Sequence, residues 1–286
     1  MGKRCRTAVI GLGLMGGSMA YALSSAASGA FHVVGYDISA EVMDAAVGQG
    51  AVHDGADSLA DAVKDADLCI FCTSPEVIVE NMQECLHLMK PGAVLTDICG
   101  VKSDILGYLK ENLPPGLDYV GLHPMAGKEV GGFSNADPAI FKGAGFIIVL
   151  PPWQYKDSTV ECITRLAYDA GAGRVVVNSA DDHDRIIAYT SDLMHISATA
   201  LCLSYPDDMT MAHTAGAFRD CTRVAKIDPA LWTELLMENR AHTIPVLAEY
   251  MAHLDEFKAA LEAGDRQRLF TLLHSADGNK KTILGL

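Results

Sequence analysis

The sequence predicts an α/β chain, with a doubly wound, mostly parallel sheet followed by an all-helical second domain. Three observations carry this. The chain opens with an apolar run, a glycine-rich turn and a helical pattern, Thr7-Ala8-Val9-Ile10-Gly11-Leu12-Gly13-Leu14-Met15-Gly16-Gly17-Ser18. Apolar β-rich runs then alternate with helical periodicity as far as Asn178, the pattern of parallel strands joined by crossover helices. Beyond Asn178 strand signals stop and long helical patterns follow.

The first strand is Thr7–Ile10 and the first helix Gly13–Ser25. Between them Gly11, Gly13 and Gly16 fall in a G-x-G-x-x-G fingerprint, with Leu12, Leu14 and Met15 between the glycines. Gly11 permits the tight turn, Gly13 lets backbone approach a pyrophosphate, and Gly16 lets helix pack on strand. The helix N-terminus offers free N–H groups and a positive dipole end. The run Phe31 to Asp37 reads as a second strand ending in an acid, with Val33–Tyr36 as the strand itself, and Asp37 lies 21 residues beyond Gly16. An acid ~20 residues on accepts hydrogen bonds from the adenosine ribose. The candidate cofactor is therefore NAD, since Asp37 would repel a 2′-phosphate and no arginine follows it closely. A signal peptide competes for the same stretch: Lys3, Arg4 and Arg6 precede an uncharged run, and Ala30 ends a small-residue segment. The fingerprint spacing and Asp37 oppose it.

Further on, Ala40–Gly48 reads as a helix and Asp67–Cys72 as a strand closed by Thr73-Ser74-Pro75, a turn placed to meet the cofactor. Helix Val77–Met89, strand Ala93–Asp97 and helix Lys102–Leu109 follow. Tyr119–Gly121, Gly145–Leu150 and Arg174–Asn178 are the last strands. Ser179 could cap a helix carrying Ile186, Ile187, Thr190, Leu193 and Met194, and Pro229 sits near another helix start. The expected domains are 1–178, binding dinucleotide, and 179–286, helical.

The chain has 286 residues, half of them hydrophobic, and a net charge of −14. No basic run could release phosphate counterions, so nucleic acid is not an expected partner. An anionic substrate needs a local basic cluster working against the global field. The eight cysteines are scattered. Cys69 and Cys72 have C-x-x-C spacing inside a strand pattern, where alternation separates them, and no second pair completes a metal site. They read as buried thiols of a cytoplasmic protein. No uncharged run past the N-terminus is long enough to span a membrane.

His123 follows a predicted strand in Gly121-Leu122-His123-Pro124-Met125-Ala126-Gly127-Lys128-Glu129. Ligands of open α/β sheets bind beyond strand carboxyl ends, and imidazole suits proton removal from a hydroxyl losing hydride. Taken alone, a loop histidine bonded to backbone explains it as well. Arg219 and Arg223 flank Asp220, which suggests a carboxylate clamp; a surface salt-bridge cluster is the plainer account. His195 lies in the long helix on an apolar turn, where a satisfied core histidine is the default.

Together these pieces resemble the prephenate dehydrogenase family, which includes arogenate and cyclohexadienyl dehydrogenases. The resemblance runs over nearly the whole chain. It rests on Gly-Leu-Gly-Leu-Met-Gly-Gly-Ser from Gly11, Asp97 through Lys102, His-Pro-Met-Ala-Gly from His123, and Phe218 through Ala225 with Trp232 and Asn239 following. It implies NAD-dependent oxidation of the prephenate C4 hydroxyl with loss of the ring carboxylate. It gives His123 the C4 hydroxyl, Arg219 a substrate carboxylate and His195 a place on the pocket wall. It also implies a homodimer built by the helical domain.

The chain departs from the family pattern in three places. Asp192 and Met194 replace a histidine and a proline, so a straighter helix is expected there. Gly100 stands where a serine commonly contacts cofactor and substrate, and its backbone could still do so. Lys128 stands where a small hydroxyl residue is expected and could add charge beside the substrate. Arogenate remains an alternative substrate. The rivals are a hydroxy-acid dehydrogenase using a helix lysine, for which the second domain is lysine-poor, and a non-enzymatic NAD-responsive regulator.

Overall fold

The structure, a computed structural model, describes residues 4–128 and 130–285. Lys3 of the basic N-terminal cluster and Glu129 lie outside the described residues. The chain divides into two compact units, the first ending at Asn239 and the second beginning at Arg240. That division falls well after residue 178, because helices following the last strand pack back on the sheets.

In the first unit β1 (Cys5–Ile10), α1 (Leu14–Ser24), β2 (Phe31–Tyr36) and α2 (Ala40–Gly48) come first. Then follow β3 (Asp54–Gly55), α3 (Leu59–Val63), β4 (Leu68–Phe71), α4 (Pro75–Cys85), β5 (Val94–Asp97), α5 (Ser103–Asn112) and β6 (Asp118–Tyr119). These strands form one sheet in the order β3-β2-β1-β4-β5-β6, with every pairing parallel. Their β-rich residues are buried on both faces, as helices on each side demand: Ala8, Val9, Leu68, Cys69 and Ile70 are closed off. Ser39 and Ser58 cap α2 and α3 by accepting from Val42 N and Asp61 N. The strand order reverses between β1 and β4, the place where open α/β sheets bind ligands.

Tyr119–Gly121, expected as one strand, is two. β6 ends at Tyr119, Val120 changes sheet, and β7 (Gly121–Pro124) begins. β7 pairs antiparallel with β8 (Gly145–Leu150). After α6 (Asp157–Ala170), which stops at Gly171 with φ +115, β9 (Arg174–Ser179) lies parallel to β8. A second, three-stranded sheet thus extends the first part of the chain.

α7 (Ala180–Ile187), capped by Ser179, folds back so that Ile187 packs on Ile147 and Val149 of β8. Ala188–Asp192 forms a π-helical turn before α8 (Leu193–Leu203). The helix is therefore widened where a straighter one was expected. Buried Asp192 accepts from Asn239 Nδ2 at 2.7 Å, and a side chain pinned inside commonly accompanies such a bulge. By length and composition Ala180–Leu203 could cross a membrane. Its Asp184 and Asp192 are instead buried and hydrogen-bonded within this unit. α9 (Gly216–Thr222) and α10 (Pro229–Glu238) complete the unit, α10 capped by Asp228.

The second unit is a helical hairpin of α11 (Arg240–Glu262) and α12 (Arg266–Leu284). It turns at Gly264 with φ +64, and Asp265 caps α12 through Arg268 N at 2.9 Å. Not all cysteines are buried thiols: Cys69, Cys85 and Cys99 are, whereas Cys221 is exposed on α9. Burial raises the Cys85 and Cys99 thiols to about 12, so both stay protonated and inert. Among the described residues no cluster of histidine, cysteine or acid could hold a metal ion.

Candidate active site

The glycine turn sits at the reversal point of the parallel sheet. Gly11 has φ +85, open to glycine without strain. A Cβ on Gly16 would stand 1.9 Å from the Gly11 carbonyl oxygen, so α1 can approach β1 only with glycine there. Nothing lies within 4 Å of a Cβ built on Gly13. That open space lies over the N-terminus of α1, which has no side-chain cap. Leu12 and Leu14 are buried beneath the turn and Met15 is half-buried.

Asp37 accepts from Leu12 N at 2.8 Å and from Ser39 N at 3.0 Å, which joins the glycine turn to the end of β2. A cavity of about 320 Å³ opens beside it, lined by Tyr36, Asp37, Ile38, Met43, Asp44 and Asp57 among others. Among the described residues three carboxylates and no cation line it, a poor setting for a 2′-phosphate. Thr73 Oγ1 is buried without a partner among the described residues, and the Thr73 methyl would meet a Cβ on Gly11 at 2.5 Å. Ser74 and Pro75 begin α4 beside it. An uncapped helix end, an open glycine, an acid at the second strand and an orphaned hydroxyl together fit a dinucleotide.

A second cavity, of about 470 Å³, contains His123, Met125, Lys128, Ser191, His195, Arg223, Lys226 and Trp232 in its wall. This is the size of a small-molecule site. Lys128, Arg223 and Lys226 make it locally basic in a chain of net charge −14. Among the described residues the acid in the wall is Asp228, which is engaged at the α10 N-terminus by Ala230 N and Leu231 N. Lys128 also reaches Asp137 at 3.4 Å. His195 is half-buried rather than a core histidine: it lies over Trp232 with ring centroids 3.5 Å apart, and its Nδ1 is 2.9 Å from the Ser191 carbonyl.

His123 stands on β7, half-buried at the cavity floor. Its Nδ1 is 2.9 Å from His183 Nε2, and His183 Nδ1 is 2.7 Å from Asp184 Oδ1. Burial first, then the neighbouring His183 and Lys102, hold the His123 pKa well below 6.5. Burial likewise lowers His183. A Cβ on Gly100 would stand 3.7 Å from His123 Nε2, so Gly100 leaves room beside that nitrogen. Beneath it, Lys102 Nζ donates to Asp97 and to the carbonyls of Cys99 at 2.8 Å and Leu122 at 2.9 Å.

Models of the prephenate dehydrogenase nucleotide-binding domain and of the prephenate dehydrogenase dimerization domain match residues 21–177 and 179–275. The chain belongs to the prephenate dehydrogenase family. It is 31% identical to a prephenate dehydrogenase of Bacillus subtilis over 93% of this chain and 72% of that one. It is 30% identical to a cyclohexadienyl dehydrogenase of Zymomonas mobilis over 96% and 94%. In fold it matches the Aquifex aeolicus prephenate dehydrogenase in complex with hydroxyphenyl propionate and NAD+, at a TM-score of 0.86, 24% identity and 99% coverage of both chains.

Within this prephenate dehydrogenase family member, one expected residue is displaced. Arg219 is exposed on α9 and is absent from the cavity wall; Arg223, one helical turn on, is in it. Both belong to the same Phe-Arg-Asp-Cys-Thr-Arg segment, but α9 ends at Thr222 and Arg223 opens the tighter 3₁₀ turn Arg223–Ala225, so the two side chains do not share one helical face. His183 and Asp184 were not foreseen. A signal existed: His183 is four residues before Ile187, the core residue of α7, so it shares that buried face.

Proposed function

We propose that this chain catalyses the NAD-dependent oxidative decarboxylation of prephenate to 4-hydroxyphenylpyruvate, in tyrosine biosynthesis. The observation that carries it is a single basic cavity holding both His123 and Arg223. Bound NAD supplies the hydride acceptor for C4 of the ring, and departure of the ring carboxylate as CO2 leaves an aromatic product. Gly11, Gly13, Gly16, Thr73, Ser74 and Asp37 are the residues we assign to the cofactor.

His123 takes the proton of the C4 hydroxyl. Its low pKa keeps the ring neutral, hence able to accept, at neutral pH. Arg223 offers a planar fork to a substrate carboxylate; it replaces Arg219 in this role. Lys128 and Lys226 add to the field that draws a dianion. His195 and Trp232 form a flat wall against the ring. Gly100 can act only through its backbone.

Prephenate is preferred over arogenate here because Lys128, in the cavity wall, disfavours a substrate ammonium. A domain boundary near residue 178, a homodimer through the helical part and a cytoplasmic location complete the proposal. The dimerization-domain match over 179–275 supports the homodimer. Turnover measured with prephenate and with arogenate, each with NAD, tests the reading. Prephenate-dependent NADH formation is expected, with arogenate slower. His123→Asn should abolish it; unchanged NADH formation in that variant would make the catalytic assignment wrong.

A further inference from the structure

We propose that Asp184 and His183 are positioning residues that lock His123 in the one neutral tautomer whose Nε2 can accept a proton. The inference rests on His123 serving as the base of the proposed reaction.

The argument runs from the buried end outward. A carboxylate only accepts, so the proton between Asp184 Oδ1 and His183 Nδ1, 2.7 Å apart, sits on His183 Nδ1. His183 is fully buried, and burial lowers its pKa, so the ring is neutral and its Nε2 is bare. A bare Nε2 can only accept, and His123 Nδ1 lies 2.9 Å away. His123 therefore carries its proton on Nδ1. Its Nε2 is left with a lone pair, facing the space at Gly100 and without a hydrogen-bond partner among the described residues.

Every link in this line is held from outside. The second oxygen of Asp184 accepts from Ser103 Oγ at 2.8 Å, and the Asp184 carbonyl accepts from Asn239 Nδ2 at 3.0 Å. The carboxylate thus cannot rotate away without losing a buried bond. β7 fixes His123 and α7 fixes His183, so two rigid elements set the spacing. With the opposite tautomer, His123 Nε2 would carry hydrogen and present a donor to the substrate hydroxyl. The ring would be in place and unable to act as a base. A wrong tautomer in otherwise intact geometry costs a catalytic histidine about 10⁴ in turnover where it has been measured. When His123 does take the proton, Asp184 lies two links behind the new positive charge.

The test reads the tautomer directly. The full chain, labelled with ¹⁵N-histidine, is examined by long-range ¹H–¹⁵N correlation at neutral pH. His123 is expected to carry hydrogen on Nδ1 with Nε2 bare. In Asp184→Asn the amide nitrogen can donate to His183 Nδ1, which reverses both rings. His123 should then carry hydrogen on Nε2, and kcat should fall about 10²–10⁴-fold while KM for NAD changes less than about threefold. Wild-type His123 protonated on Nε2 overturns the proposal whether or not the variant folds. So does an Asp184→Asn enzyme with wild-type kcat. The spectrum needs no substrate. A chain with the Nδ1–H tautomer but no prephenate turnover would support the lock and defeat the proposed reaction.

Discussion

Lys102 donates its ammonium to the Asp97 carboxylate with both side chains closed off from solvent. Its other two protons go to the carbonyls of Cys99 and Leu122. Asp97 also accepts from Cys99 N at 2.8 Å and from Tyr119 Oη at 2.5 Å. The pair therefore ties the turn after β5 to β7, the strand that carries His123. Replacing Lys102 by Met leaves a buried carboxylate without its cation, which costs about 3–5 kcal/mol. Urea unfolding of Lys102→Met should show that loss. The double variant Asp97→Asn/Lys102→Met should recover part of it, because neither charge is then stranded.

Arg223 and Arg219 separate cleanly by position. Arg223→Leu should raise KM for prephenate about 10–100-fold, the worth of a charge-assisted hydrogen bond of about 1.5–3 kcal/mol. KM for NAD should be unchanged. Arg219→Leu, exposed on α9, should shift KM for prephenate less than about threefold in steady-state kinetics. A reversed order would return the carboxylate role to Arg219.

Glu238 titrates against the rest of the fold. Its Oε1 accepts from Asp104 N at 2.9 Å, at the start of α5, while Oε2 is buried without a partner among the described residues. Burial chiefly, with Asp104, Asp184 and Asp97 adding repulsion, pushes its pKa up to about 8. The folded state thus holds the proton more tightly than the unfolded chain does. The stability this confers is complete below the ordinary pKa of 4.5 and is lost as pH rises through about 8. Glu238→Gln keeps an oxygen for Asp104 N and removes the titration. The variant should melt close to wild type at pH 5 and above it at pH 9, as read by thermal scans at both.

The histidine pair runs the other way. His123 and His183 are both held below 6.5 by burial. The unfolded chain takes up their protons first as the solution is acidified. Their neutral-form stability is present above 6.5 and is lost as pH falls from 6.5 through the lowered folded values. Catalysis follows the same window: kcat/KM for prephenate should stay level down through pH 6.5 and fall only below it. An acid limb centred at or above 6.5 would contradict a depressed His123.

Much of this was legible in the residues. The glycine turn and Asp37 were legible as one unit at the reversal point of the sheet, because a tight turn at the end of the first strand demands glycine at particular spacings. His123, expected just after a strand, instead lies within β7, because the chain changes sheet at Val120 and pairs again from Gly121. What local pattern could not show was the sheet change at Val120, since both β6 and β7 are apolar and short. Arg219 and Arg223 look alike in sequence, and only the orientation of α9 and the turn after it decides between them. The π-helical turn at Ala188–Asp192 was hidden because the bond that accompanies it, from Asn239 to Asp192, spans 47 residues.

Gly13 and Gly16 offer a last separation, between folding and binding. Both belong to one fingerprint, yet their surroundings differ. A methyl on Gly16 would meet Gly11 O at 1.9 Å and Cys72 Cβ at 2.8 Å, contacts made of backbone and packed core that cannot yield cheaply. Gly16→Ala should lower stability by about 1–3 kcal/mol, the usual cost of overpacking. A methyl on Gly13 meets nothing within 4 Å, so Gly13→Ala should unfold within about 0.5 kcal/mol of wild type. That same methyl occupies the space over the α1 N-terminus where a pyrophosphate would lie. NAD affinity of Gly13→Ala, measured by calorimetric titration, should therefore fall at least about tenfold, equal to about 1.4 kcal/mol. If Gly13→Ala binds NAD as wild type does, the phosphate does not sit on this turn.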